Sequence, residues 1–193
     1  MFESLAIYLK EKGDLTDEEL KLVEEVVMQK KLRKRQYLLQ EGNVSKNVSF
    51  IAKGCLRLYR VGKDDAEHVL RFGIEKWWIS DFDSFHSARP SKYNIDALED
   101  SELLMIEKEK YDHLLVTIPN FQNLIRKLEA RNFEVSQERI LSNISESPQE
   151  KYDNFLKMFP QIYNRVPLHM VASFLGVSRE TLSRVRQQYA KGN

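Results

Sequence analysis

The stretch from Val166 to Gln188 constrains this 193-residue chain more than any other. Two short helices cross closely only where the first carries a small side chain, and Ala172 supplies one. Gly176, four residues on, suits a turn whose backbone must become left-handed, a conformation open to glycine without a steric penalty. Val177 is placed to plug that turn into a core and Ser178 to cap the next helix. Leu182 and Val185, three residues apart, are placed to anchor that helix from below. Small residue, glycine, cap and anchors in register describe a helix-turn-helix. The second helix is then left with Ser178, Arg179, Glu180, Thr181, Ser183, Arg184 and Gln187 for its outer face. Arginine offers two donors to guanine and glutamate accepts from the cytosine amino group. These side chains therefore suit a helix that reads base edges in the major groove.

Charge is distributed in keeping with that reading. The chain is +1 overall, yet residues 161–193 hold Arg165, Arg179, Arg184, Arg186 and Lys191 against Glu180 alone, a local +4. A basic end is the expected footprint of a phosphate-binding module, with Arg165 and Lys191 as backbone contacts that carry no sequence preference. Several other classes fall away. No run of about eighteen apolar residues suggests a membrane span, and the first residues lack the apolar stretch of a signal peptide. The single cysteine, Cys55, forms no internal disulfide and has no metal-site spacing. A cytoplasmic protein without a metal site is expected. An enzyme built on a cupin-like barrel would need clustered histidines and a carboxylate, whereas His68 and His86 stand apart. No glycine-rich phosphate loop or nucleophile elbow is present either. A ligand-binding module that has lost DNA binding is opposed by the intact set of Arg179, Glu180 and Arg184.

Upstream, Thr16 and Glu19 form a capping-box pattern ahead of Leu20, Val23 and Val27 at helical spacing, which predicts the first helix. From Leu38 to about Ile106 short β-rich pieces end at Gly42, Gly54, Gly62 and Gly73, with two more around Glu99 and Asp100. That rhythm predicts an antiparallel sandwich or barrel. Helices return near Lys108. After Pro119, 25 residues without glycine or proline carry Phe121, Leu124, Ile125, Leu128, Val135, Ile140 and Leu141. This long helix is expected to pair with its copy in a second chain, with Leu124 and Leu128 in the seam and the polar Arg131 and Asn132 helping to set register. Ser147, Pro148 and Glu150 start a further helix, which Pro160 stops.

The run SRETLSR at 178–184 resembles the recognition-helix signature of the Crp–Fnr regulators, and FIAKGCLRLYR at 50–60 is similar to that family's glycine turn between roll strands. The resemblance implies that Arg179, Glu180 and Arg184 contact bases. It implies an α+β fold: an antiparallel β-roll of the cyclic-nucleotide-binding kind with flanking helices, a long dimerisation helix, and a winged-helix-type helix-turn-helix. The expected division is 1–118 for the sensor roll, 119–144 for the linking helix and 145–193 for the DNA-binding domain. Implied partners are double-stranded DNA, a second copy of the chain and RNA polymerase, with no membrane. The family's final wing hairpin is expected to be shortened or absent.

In the sensor half the resemblance weakens. Cyclic-nucleotide-binding members carry F-x-G-E-L and then R-S/T-A, the glutamate for a ribose hydroxyl and the arginine for the cyclic phosphate. Here Ser80 replaces the glycine, Asp81 the glutamate, and the arginine position falls at Ser91. Ser80, Asp81, Arg89 and Lys92 are the pocket candidates. A buried phosphate needs a paired cation, and Arg89 and Lys92 flank Pro90, which restricts the backbone before it. The expectation is therefore a regulator without a bound cofactor, of unknown effector and not responsive to cyclic AMP. Trp77, Trp78, Phe82 and Phe85 are expected to occupy part of the purine's space. The alternative is a variant cassette that still takes a cyclic nucleotide. An iron–sulfur sensor would need about four cysteines, and His68, His86, His113 and Cys55 are isolated as haem ligands.

Overall fold

The computed structural model describes residues 1–191, with side chains through Gln188, so the Lys191 side chain lies outside the described residues. The first element is a helix not anticipated from sequence, α1 (Phe2–Gly13). It buries Leu5, Tyr8 and Leu9 on one face and ends where Asp14 turns left-handed. Its alternating charges belong to the opposite, solvated face. Helix α2 (Asp17–Val26) starts at the expected capping box, with the Thr16 hydroxyl accepting from Glu19 N–H and the Glu19 carboxylate from Thr16 N–H.

Eight strands follow, in two four-stranded sheets. One runs in the order β1 (Met28–Leu32), β8 (Ser101–Glu107), β3 (Asn47–Lys53), β6 (Trp78–Ile79). The other runs β2 (Tyr37–Leu39), β7 (Asn94–Ala97), β4 (Leu56–Val61), β5 (Glu67–Gly73). Neighbours in both sheets are antiparallel. The space between the sheets is filled by Leu32, Leu39, Ile51, Leu56, Leu58, Ile79, Ile95, Ala97 and Leu103, all buried. Gly54 turns β3 into β4 at φ +110°. A Cβ there would meet the Ser101 hydroxyl at 2.2 Å, so glycine is required twice over. A short helix, α3 (Phe82–Ser87), interrupts the roll after β6.

Helices α4 (Lys108–Thr117) and α5 (Pro119–Ser145) leave the roll. Phe121, Leu124 and Ile125 of α5 are buried against α1 and α4, in a cluster with Leu9, Leu15 and Tyr111. Leu124 is thus a core residue of its own chain, and the expectation that it lines a seam between protomers is corrected. The first turns of α5 lie on the body of the domain and only its later turns stand free. Phe133, Ile140, Leu141 and Ile144 are exposed there.

Helix α6 (Pro148–Met158) opens with the predicted Ser147–Glu150 capping box. Helices α7 (Leu168–Leu175) and α8 (Arg179–Lys191) follow, and α8 is the last element among the described residues. These three share a core in which Tyr152, Phe155, Ile162, Val171, Ala172, Leu175, Leu182 and Val185 are buried. The same core continues into the roll through Cys55, Tyr59, Val69, Phe72 and Ile74, on the outer face of the second sheet. At about 1.5–3 kcal/mol per large apolar side chain withdrawn from water, this joint is substantial.

Candidate nucleic-acid interface

The helix-turn-helix is built by local rules. Leu175 closes α7, and Gly176 follows at φ +67° and ψ 32°. The Gly176 and Val177 N–H groups turn back to the Ser173 and Ala172 carbonyls at 3.2 and 3.1 Å, using up carbonyls that the helix end would leave orphaned. The Ser178 hydroxyl accepts from Thr181 N–H at 3.1 Å and so starts α8. Ala172, Leu182 and Val185 are buried and Val177 packs partly against them. Every residue that makes the motif stand is accounted for by packing or capping.

What is left faces outward. Ser178, Arg179, Glu180, Arg184 and Gln187 are exposed, and Thr181 and Ser183 are half-buried. Arg184 leans on the Thr181 hydroxyl at 3.5 Å. The Glu180 carboxyl is held below its ordinary range by its own backbone N–H and the Ser178 hydroxyl, with Arg179 and Arg184 adding attraction. Its acceptor oxygens are therefore ionised at neutral pH. Arg186 turns the other way, its guanidinium 5.3 Å from the centre of the Tyr163 ring.

Arg165 departs from expectation. It donates to both Glu75 oxygens at 2.8 and 2.9 Å and also bonds Glu99. These carboxylates stand in the turns after β5 and β7, so the residue fastens the helical domain to the roll and is not free for phosphate. The physical reason is its fork of donors, which two carboxylates match from opposite sides. Burial alone would raise the Glu75 carboxyl, but Arg165 and the Gly54 N–H overcome this and hold it below its usual value. Beneath the clamp, burial pushes the Cys55 thiol up to about 12.

Two further ties were not legible in sequence. Strand β5 is a sheet edge with unpaired backbone groups, and the helices satisfy them. Ser173 of α7 accepts from Val69 N–H at 2.9 Å and donates to the Glu67 carbonyl at 2.7 Å. Arg139 of α5 reaches the Leu70 carbonyl, the Val69 carbonyl at 3.1 Å and the Phe174 carbonyl at 3.2 Å. Its charge also lies 4.4 Å from the centre of the Phe174 ring.

The candidate sensor residues turn inward upon one another. The Ser91 hydroxyl donates to Asp81 at 2.6 Å, and both are buried. Asp81 also accepts from Ser84 N–H at 3.3 Å, capping α3. Ser80 pairs with Ser45 at 2.9 Å and donates to the Asn47 carbonyl at 3.0 Å. Arg89 and Lys92 are exposed, and Arg89 contributes only backbone bonds, from Ser84 at 2.6 Å and to Ser87 at 3.3 Å. No cation enters this network, so the cassette does not fit a cyclic phosphate.

The aromatic residues expected to fill a purine's space lie elsewhere. Trp77 packs on Phe159 of the helical domain with ring centres 5.8 Å apart, and Trp78 meets Phe50 edge-on at 5.3 Å. Phe85 meets Tyr111 at 5.3 Å and Phe82 stacks on His86 at 6.4 Å. They are joints between elements. Aliphatic residues fill the roll.

Residues 29–117 match the cyclic nucleotide-binding domain family. The chain is 24% identical to the regulatory protein HlyX of Actinobacillus pleuropneumoniae, over 92% of this chain and 78% of that protein. It is 22% identical to the fumarate and nitrate reduction regulatory protein of Yersinia pestis, over 93% and 76% respectively. Among solved structures, FixK2 from Bradyrhizobium japonicum superposes with a TM-score of 0.76 at 15% identity, covering 86% of each chain. No helix among the described residues is long and apolar enough to cross a membrane.

Proposed function

The chain belongs to the Crp–Fnr family of transcription regulators, and from that premise we propose that it binds double-stranded DNA as a homodimer and reads base edges with α8. The observation that carries this is the division of labour on α8. Its packing residues Leu182 and Val185 are buried, while Arg179, Glu180 and Arg184 remain exposed on the helix's leading turns. Ser178, Thr181, Ser183 and Gln187 complete the surface presented to the groove. Residues 1–118 act as the sensor, 119–144 as the link and 145–193 as the reader. The chain acts by binding, not catalysis, in the cytoplasm, and RNA polymerase is the partner its bound state addresses.

The dimer forms through the later turns of α5. Phe133, Ile140 and Ile144 recur at seven and four residues, with Leu141 beside Ile140, and all four are exposed. Large side chains left in water at that spacing are the material of a two-helix seam. A dimer also doubles the phosphate contacts, which matters more now that Arg165 is committed to the roll. The effector is not cyclic AMP, since Ser91 satisfies Asp81 where an arginine would meet the phosphate.

Site selection on random duplexes, followed by mobility shift, tests the reading. Replacing Arg179 by alanine is expected to weaken binding by about 1–3 kcal/mol and to relax preference at particular base pairs. Unchanged affinity and an unchanged selected site would refute the assignment of α8.

A further inference from the structure

Two arginines on neighbouring strands of the second sheet are withdrawn from water in opposite circumstances. Arg57, buried on the outer face of β4, donates to both Asp96 oxygens at 2.8 and 3.1 Å and also bonds Glu67. Its charge is neutralised by two carboxylates, and its guanidinium lies over the Tyr59 ring at 3.9 Å. Arg71, half-buried on β5, pairs across the strands with Leu58 and so shares the inner face that Leu58 occupies with Ile51 and Ile95. Its side chain donates to the Asn132 amide oxygen of α5 at 3.1 Å. No carboxylate lies within ion-pair distance of Arg71 among the described residues.

The charge that acts near Arg71 has the same sign. Arg139 stands two turns beyond Asn132 on α5, and burial and then the Arg71 charge push its guanidinium below the ordinary value. Burial does the same to Arg71, with no anion to counter it. A half-buried guanidinium beside a second cation, with a neutral amide as its partner, is unfavourable unless an anion completes the arrangement. The cassette end of the roll has the reverse character, with a carboxylate already satisfied and no cation.

We propose that the space between β5 and α5 at Arg71 is the effector site, and that it takes the carboxylate or phosphate group of a small organic anion. The guanidinium fork supplies parallel donors for an oxyanion, and Asn132 orients it. The location links ligand to DNA binding. Val69 and Leu70, the residues just before Arg71, bond Arg139 of α5 and Ser173 of α7. The register of β5 shifts at this point, between the partners of Leu58 and Tyr59, so the strand is locally irregular where the helices grip it. This inference rests on the reading of the roll as the sensor half of a regulator.

The test is thermal unfolding of the full chain with chloride exchanged for inorganic phosphate or acetate at constant ionic strength. The wild-type midpoint is expected to rise by about 2–4 °C in at least one oxyanion. R71Q is expected to lose that rise. Should R71Q fold poorly, N132D serves in its place, because it sets a carboxylate against Arg71. N132D is expected to unfold at a higher temperature in chloride and to gain nothing from the oxyanions. No rise in the wild type, or a rise that persists in R71Q or N132D, overturns the proposal. Sequence-specific DNA binding by the same wild-type preparation without any oxyanion response would sink this site while leaving the regulator reading intact.

Discussion

The cassette at 80–91 and the reading helix at 178–187 are built from similar materials, serines beside charged residues at the start of a helix, and they end in opposite states. In the cassette Asp81 caps α3, takes the Ser91 hydroxyl, and is buried with it. On α8 the capping is done by Ser178, which leaves Glu180 and the two arginines in solvent. A polar group that folding has satisfied internally has little left to offer a ligand, because breaking the internal bond offsets the new one. A group left unpaired at the surface keeps that capacity. The difference between a relic pocket and a working surface therefore lies in where the hydrogen bonds go, not in which residue types are present.

The largest expected effect addresses the working surface through its assembly. I140D together with I144D should convert the dimer to monomer in light scattering and reduce operator affinity by about a hundredfold or more, as linked binding is lost. L124D instead places a charge in the domain's own core and should lower the unfolding temperature outright. If L124D yields a folded monomer, the assignment of faces on α5 is wrong. Next, R184A should cost about 1–3 kcal/mol in specific DNA binding. S91A should leave that binding unchanged. A loss of DNA binding in S91A would erase the contrast between the two regions.

Smaller effects sharpen the contrast from the cassette side. S91A leaves the buried Asp81 short of a donor and should lower stability by about 1–2 kcal/mol in urea unfolding. Titration calorimetry of the wild type with cyclic AMP should give no binding heat, and a saturable isotherm would restore the cassette as a ligand site. The smallest effect concerns the clamp that holds the two regions together. The folded Glu75 carboxyl is depressed from its ordinary 4.5. Its contribution is therefore complete above that value and is lost as pH falls through the depressed one. Because the pair is partly exposed, about 0.2–1 kcal/mol is expected. The stability difference between wild type and E75Q should be flat from neutrality down to the ordinary carboxylate range and vanish below it.

Some of this molecule was decided within a few residues along the chain. The Thr16–Glu19 and Ser147–Glu150 boxes, the left-handed Gly176 and the burial of Leu182 and Val185 were legible because their partners lie three to six positions away, where helix geometry alone dictates the meeting. The antiparallel roll was legible from its glycine turns for the same reason, although β1, α1 and α3 were not. The partners of Arg165 were hidden, since Glu75 and Glu99 stand 90 and 66 residues away. Which face of α5 is covered was equally hidden, because α1, itself unread, provides the cover. The aromatic residues at 77, 78, 82 and 85 were seen as a group but dispersed by folding, each to a different neighbouring element. By itself the sequence determined the elements and the chemistry α8 presents, because both follow from local backbone preference. Only the tertiary structure decided which charged groups are neutralised and which remain open, because a charge takes its partner from whatever distant strand or turn the packing brings within reach.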